Sequence, residues 1–314
     1  MKLNSYQKLA VTTVIATVVL IFVGGLVRAA GAGLGCPDWP TCFGMWIPPT
    51  TADALPAEFN ADRFNPYLTW LEYINRLIGV IIGLLITATF AFSFRYRRTD
   101  PVITWSAGVA FTLVLFQGWL GGQVVRSGLN TGMITFHMVL AMIIVTVLLF
   151  TAYKAASDDY LNIHLREGTG KRLIKAGGIL LGLVLVQMVL GTQVREMVDI
   201  VKNMPGAPPR EAWLDQLNSW IYPAHRSFSW FIILAAGLFW WMNRSSSRTY
   251  MLRVLGNTIV ILVIVQAFIG AGMEWFGMPG LFQVLHLTGV ALLICAIVLH
   301  MLMVGFSNRT AETR

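Results

Sequence analysis

The chain has 314 residues, 56% of them hydrophobic and 12% charged, and its mean hydropathy is +0.67. One soluble core of this length cannot bury so much apolar surface, which excludes an ordinary globular domain and points to a polytopic membrane protein in contact with the lipid bilayer. The formal charge of +8 would suit nucleic acid, but in so apolar a chain the position of each cation decides more than the total, and no nucleic-acid partner is expected.

Apolar stretches near the roughly 20 residues that carry a helix across a bilayer fall at about 8–28, 72–94, 103–125, 133–153, 173–195, 226–243, 251–272 and 281–304. They lack strand alternation, and only helices or closed barrels cross lipid, so the fold class is all-α with eight transmembrane helices. The first block runs into "GGLVRAAGAG" without a convincing cleavage site and reads as a retained span rather than a signal peptide. After it comes "GCPDWPTC", where Cys36 and Cys42 are read as an outer disulfide in an oxidising compartment, with two free thiols as the alternative. Cys295 lies mid-span and reads as a small apolar packing residue.

With eight alternating spans, Lys2, Lys8, Arg95, Arg97, Arg98, Lys154, Arg166, Lys171, Arg172, Lys175, Arg244, Arg248, Arg253, Arg309 and Arg314 share one side. The positive-inside bias makes that side cytoplasmic, both termini with it, and sets the loops near 29–71 and 196–224 outside. Arg28, Arg76, Arg195 and Arg226 fall on the outer side at or near helix ends, where that bias does not explain them. They call for an anionic partner.

The sequence also repeats itself. "GGLVRAAGAG" pairs with "GTQVREMVD", aligning Arg28 with Arg195, and "YINRLIGVII" pairs with "PAHRSFSWFI", aligning Asn75 with His225 and Arg76 with Arg226. "FQGWLGG" pairs with "VQAFIGA", and "ITFHMVLAM" with "QVLHLTGVA", aligning Gln117 with Gln266 and His137 with His286. Gln117 to His137 and Gln266 to His286 are both 20 residues, and Asn75 to His137 is 62 against 61 for His225 to His286. The organisation read from this is an N-terminal four-helix half over 1–153, a charged cytoplasmic linker over 154–172 and a C-terminal four-helix half over 173–314. Two tandem bundles of equal orientation predict a pseudo-twofold axis along the membrane normal.

His225 and His286 begin the sixth and eighth spans of the same half, at similar depth. Facing histidines in a four-helix bundle are a means of holding a haem by two axial nitrogens, with Arg195 and Arg226 as guanidinium partners for propionates. The plainer alternative is helix-end histidines hydrogen-bonded to their neighbours. In the first half the equivalent pair is Asn75 and His137. An amide is a poor iron ligand, so a haem there would keep His137 on one face and an open or weakly occupied position on the other. Glu72 lies three residues before Asn75 on the same helical face, which suits it to proton transfer; its alternative role is an i, i+4 ion pair with Arg76. His164 falls in the linker and reads as solvated. His300 lies 14 residues after His286, but the position 14 after His225 is Phe239, which cannot ligate iron.

These residues resemble the haem A synthase family across nearly the whole chain. The resemblance rests on "GGLVRAAGAGLGCPDWPTCFG", "LEYINRLIGV", "LGGQVV", "FHMVLA", "GTQVRE", "AHRSFSW" and "LHLTGV" taken together. It implies a haem b held by His225 and His286, and a substrate haem O site in the first half near Glu72 and His137, bordered by Asn75, Arg28 and Arg76. It further implies oxidation of a porphyrin methyl through an alcohol to a formyl group in a bacterial cell membrane, for cytochrome oxidase assembly, with haem O synthase as a candidate neighbour. Many members carry Glu, two residues, then His-Arg at the second span, whereas this chain has Glu72, Tyr73, Ile74, Asn75, Arg76. Members also carry a second outer-loop cysteine pair that "EMVDIVKNMPGAPPREAWLDQLNSW" lacks.

Two other functions fit parts of the pattern. A diheme b-type membrane cytochrome exchanging electrons with quinol would keep two permanent haems, and a parallel-repeat transporter would hold no porphyrin. Only the second half offers two histidines, and that asymmetry favours a division of labour between a reactive and an electron-handling site.

Overall fold

The computed structural model describes residues 3–160, 163, 165–166, 168–247 and 249–312. Lys2, His164, Arg248 and Arg314 lie outside them. Among the described residues, eight α-helices follow in chain order: α1 Ser5–Ala29, α2 Pro66–Ser93, α3 Pro101–Arg126, α4 Thr131–Tyr160, α5 Gly170–Asn203, α6 Ile221–Ser246, α7 Tyr250–Trp275 and α8 Gly280–Glu312. Among the described residues the only β-type pairings are the isolated bridges Cys42 to Met45 and Leu165 to Ser247.

Local chemistry sets several helix starts. Asn4 accepts from the Gln7 amide while the Gln7 side chain accepts from the Asn4 amide, both at 2.9 Å, a reciprocal cap that satisfies two N–H groups otherwise orphaned at the start of α1. The Asn65 side chain caps α2 at Leu68, and Pro66 and Pro101 stand in the first turns of α2 and α3, where their missing N–H costs nothing.

Seven of the eight helices are long and apolar enough to cross a membrane; α6 is the exception. The physical reason is visible in its sequence: His225, Arg226, Ser227, Ser229, Asn243 and Arg244 dilute its apolar residues. Its large exposed apolar side chains are nonetheless Trp230, Phe231, Leu234, Leu238 and Trp241. Helix α5 extends eight residues past the expected end at 195, to Asn203, and the extension buries Val198 and Val201 one helical turn apart.

The chain divides into two compact units, Met1–Thr151 and Ala152–Arg314, with the boundary inside α4. In the first, Ile82 and Ile86 of α2, Ala110 and Leu120 of α3, and Leu140, Ile144 and Leu148 of α4 form the buried core, with Val14 and Leu20 of α1 against it. The Thr13 and Thr89 hydroxyl oxygens stand 2.9 Å apart between α1 and α2, and each also lies 2.9 Å from a carbonyl one turn back in its own helix, so each hydroxyl proton has an acceptor within reach. In the second unit α5 packs on α6 and α8, α6 on α7, and α7 on α8, closing a ring of four helices. At one end of that ring stand the C-termini of α5 and α7 and the N-termini of α6 and α8, the end that carries His225 and His286.

Candidate functional site

In the first unit, the segment after α1 folds back onto the start of α2. Cys36 and Cys42 are joined by a disulfide with a Cα separation of 4.8 Å. Gly35 lies so close to α2 that a Cβ there would stand 2.3 Å from the Leu68 carbonyl oxygen, so only glycine admits the approach. The Thr69 hydroxyl donates to the Gly35 carbonyl at 2.9 Å, and the Cys36 amide donates to Glu72 Oε2 at 2.8 Å. Arg76 donates to the carbonyls of Asp38 at 2.7 Å, Thr41 at 2.8 Å and Cys36 at 3.2 Å, and its Nη2 pairs with Glu72 Oε1 at 2.5 Å. Glu72 is only 4% exposed, so its charge depends on these N–H partners in place of water.

The i, i+4 ion pair is therefore present, and it carries more than a helix start. One arginine fork holds both the carboxylate and the disulfide loop. Within that loop Asp38 accepts from the Thr41 hydroxyl, the Phe43 amide at 2.6 Å and the Gly44 amide at 3.0 Å. Trp39 lies on α3, where a Cβ on Gly122 would be 2.8 Å from its ring, and Arg126 stands 5.9 Å from its ring centre.

Near this strap lie Asn75 and His137. His137 on α4 faces Gly121 of α3, whose built Cβ would be 3.4 Å from the His137 Cε1. Gln117 donates to the His137 backbone carbonyl at 3.0 Å. The ring Nδ1 of His137 and the Oδ1 of Asn75 are buried without a hydrogen-bond partner. Arg28 at the end of α1 reaches the Met138 sulfur at 3.8 Å.

The second unit repeats parts of this arrangement with different partners. His286 on α8 faces Gly270 of α7 at 3.6 Å by the same measure, and His225 on α6 faces Gly191 of α5 at 3.0 Å. Gln187 donates to the His225 carbonyl at 2.9 Å. The two imidazole rings stand 6.5 Å apart, centre to centre, at 72°. Nδ1 of each is buried and unpartnered. Arg195 pairs with Asp199 at 2.8 Å and also bonds Gln283, with its Nε buried and unpartnered. Arg226 pairs with Glu274 of α7 at 2.8 Å and is 65% exposed on its side chain. Tyr222 takes the place that Glu72 holds in the first unit, one turn before the arginine, and engages Glu274 and Arg226.

A buried histidine normally has its ring nitrogens bonded, so unpartnered nitrogens beside small residues fit axial ligation. Two metal–imidazole bonds of about 2 Å, each with the half-width of a ring behind it, span about 6 Å, which matches the His225–His286 separation. Among the described residues no group of three or more His, Cys, Asp or Glu converges as a site for a bare ion; a haem iron needs only two ligands from the protein, since its porphyrin supplies the rest. The residues present fit a haem in the second unit. In the first, only His137 offers an imidazole.

His300 belongs elsewhere. It is 0% exposed, shares a 2.9 Å hydrogen bond between its Nε2 and Asn243 Oδ1, and packs edge-on against Phe239 with ring centres 4.8 Å apart. Asn243 in turn donates to the Leu252 carbonyl at 2.8 Å, which ties α6, α7 and α8 at the end far from His225. Cys295 is a free thiol of intermediate burial.

Sequence reasoning missed the facing glycines, Asp38, Trp39 and Glu274. The glycines had a signal: Gly24 and Gly191 each stand four residues before the repeated arginine, and Gly121 and Gly270 each stand 16 before the repeated histidine. Glu274 had none, because its counterpart by the same spacing is Val125.

The COX15-CtaA family, described as cytochrome oxidase assembly protein, matches residues 7–298. Among curated proteins the chain is similar to a heme A synthase of Nitrosomonas eutropha, 26% identical over 88% of this chain and 87% of that protein. It is likewise similar to heme A synthases of Dinoroseobacter shibae, at 25% over 89% and 82%, and of Bartonella quintana, at 23% over 90% and 87%.

Proposed function

The chain belongs to the COX15-CtaA family of cytochrome oxidase assembly proteins, and from that premise we propose that it oxidises a methyl group of haem O through an alcohol to a formyl group, making haem A. The observation that carries the reading is the pair of facing rings His225 and His286, 6.5 Å apart, which with His137 each stand beside a glycine of the preceding helix, as His300 does not. The similarity to heme A synthases supports the product.

In this proposal His225 and His286 hold a haem b, and Arg195 and Arg226 stand ready to exchange their present carboxylates for propionates, the planar fork suiting either. When bound, that haem supplies one-electron transfer. The substrate haem O takes His137 as its protein ligand, with Asn75, Arg28 and Arg76 around it. Glu72 exchanges protons with the reacting ring substituent. Arg76 and the Cys36 amide fix its carboxylate, and pre-set geometry is what a general base needs in order to act without reorganising.

Two tandem four-helix halves related by a pseudo-twofold axis remain part of the proposal, as does a bacterial cell membrane location with both termini cytoplasmic. Seven membrane-length helices and the distribution of cations support the latter. The test is product analysis. Cells producing haem O, with and without this chain, are extracted and their pigments separated by chromatography; haem A and its alcohol precursor appear only with the chain, and haem O persisting unchanged overturns the proposal.

A further inference from the structure

On α3, α5 and α7 a glutamine stands four residues before the glycine that faces a histidine: Gln117 before Gly121, Gln187 before Gly191 and Gln266 before Gly270. That spacing sets the amide and the glycine on one face of the helix, a turn apart. The amides are used there. Gln117 donates to the backbone carbonyl of His137 at 3.0 Å, and Gln187 to that of His225 at 2.9 Å. Gln266, 8% exposed, presses its amide on α8 so closely that a Cβ on Gly289, three residues after His286, would stand 1.7 Å from its Nε2. In the second unit the contact is returned, since the His225 ring interacts with the Gln187 backbone carbonyl and the His286 ring with that of Gln266.

Helix α1 departs from the pattern. Leu20 stands four residues before Gly24 and packs against the apolar core, and the residue aligned with His225 is Asn75. Glutamine is thus present where the next helix carries a histidine and absent where it does not. Packing alone does not explain this, because each glutamine leaves its Oε1 buried and unpartnered, a desolvation cost that leucine at the same place avoids.

We propose that Gln117, Gln187 and Gln266 are positioning residues for the haem-ligating histidines, each fixing the backbone of its histidine so that the imidazole stands at the facing glycine and is presented to the iron. The proposal rests on the reading that these histidines bind haem. Groups that orient a metal-bound histidine set its affinity as well as its geometry. Here the orienting amide holds the main chain of the ligand and leaves the ring nitrogens to the metal.

The test uses the full-length protein purified from cells that also make haem O, with bound pigments extracted and quantified. The ferric haem b is followed by electron paramagnetic resonance, which reports how the axial imidazoles are oriented. Gln187→Met keeps the length of the side chain and removes the amide. It is expected to shift the haem b signal and to lower haem b severalfold with haem O retained, since losing such an orienting partner costs about tenfold or more in affinity. Gln117→Met is expected to lower haem O with haem b retained. Trp240→Phe is the control for packing: it removes the 2.7 Å hydrogen bond from Trp240 to Asn257, which joins α6 to α7 without a histidine, and leaves both pigments and the signal as in wild type. If His225→Ala removes haem b yet Gln187→Met has wild-type content and signal, the glutamine role is wrong and the histidine reading stands. If Gln187→Met loses both pigments together, or behaves as Trp240→Phe does, glutamine is a packing residue and the proposal is overturned. If His225→Ala leaves haem b in place, the histidine reading fails and this proposal falls with it.

Discussion

The backbone amide of Cys36 donates to Glu72 Oε2 at 2.8 Å, so the disulfide loop and the carboxylate on α2 are one hydrogen-bonded unit. Loop 36–42 covers the start of α2, Arg76 binds three of its carbonyls, and Trp39 seats it on Gly122 of α3. The position of the acid is set by a cross-link 36 residues away in sequence.

Glu72 is expected to be needed for chemistry and not for binding. Glu72→Gln keeps the shape and loses the exchangeable proton, and removing a general acid or base costs about a hundredfold to ten-thousandfold in rate. Conversion of haem O followed in membranes should fall by that range while extracted pigment stays at wild-type level. Undiminished conversion would remove Glu72 from the mechanism.

Arg76 should be a positioning and stability residue. Arg76→Ala leaves the buried Glu72 carboxylate without its cation and frees three carbonyls, a loss of about 3–5 kcal/mol for a broken buried pair. Arg76→Lys keeps the charge but not the fork, and is expected to recover only part of the thermal midpoint. A midpoint equal to wild type in Arg76→Ala would show that the strap contributes nothing.

Opening the disulfide should loosen the same unit. Replacing Cys36 and Cys42 together by serine restores chain entropy to the unfolded state worth about 2 kcal/mol for a loop this short. Protection of the Cys36 amide against hydrogen exchange should drop with it, while pigment on His225 and His286 is unchanged. Full protection in the double variant would place the strap's rigidity in Arg76 alone.

The facing glycines give a paired test. A Cβ on Gly191 would stand 3.0 Å from the His225 ring and press it aside by a few tenths of an ångström, whereas one on Gly24 meets no neighbour within 4 Å. Gly191→Ala is expected to shift the haem b absorption or lower its content severalfold, and Gly24→Ala to leave both unaltered. Equal effects at the two sites would mean that the asymmetry has no bearing on haem binding.

Much of this was legible in the sequence because its physics is local or periodic. Apolar length marked the helices, but the expectation that the four outer arginines stand at helix ends holds for Arg28 and Arg226 only. Helix α2 begins at Pro66, ten residues before Arg76, and α5 runs eight residues beyond Arg195, because both helices extend past their apolar stretches. Helix α6 shows the limit: its polar residues at 225–229 and 243–244 make it the least apolar span, although its exposed Trp230, Leu234 and Trp241 face outward. The Cys36–Cys42 link was expected, but its attachment to Glu72 and Arg76 was not, since backbone carbonyls are anonymous in a sequence. The carboxylate serving Arg226 was missed for a related reason: it comes from Glu274 on another helix, 48 residues away, where spacing along one helix gives no signal. His300 was discounted on the strength of Phe239, and the two rings do lie in contact, with Asn243 bonded to the histidine Nε2 while its Nδ1 is buried and unpartnered.

The central claim is that the two halves hold their haems on separate histidines, and pigment analysis of two variants tests it most directly. His225→Ala with His286→Ala should lose haem b while retaining haem O, and His137→Ala should lose haem O while retaining haem b, each pigment identified by extraction and chromatography. Loss of both pigments together from each variant, or of neither, would contradict it.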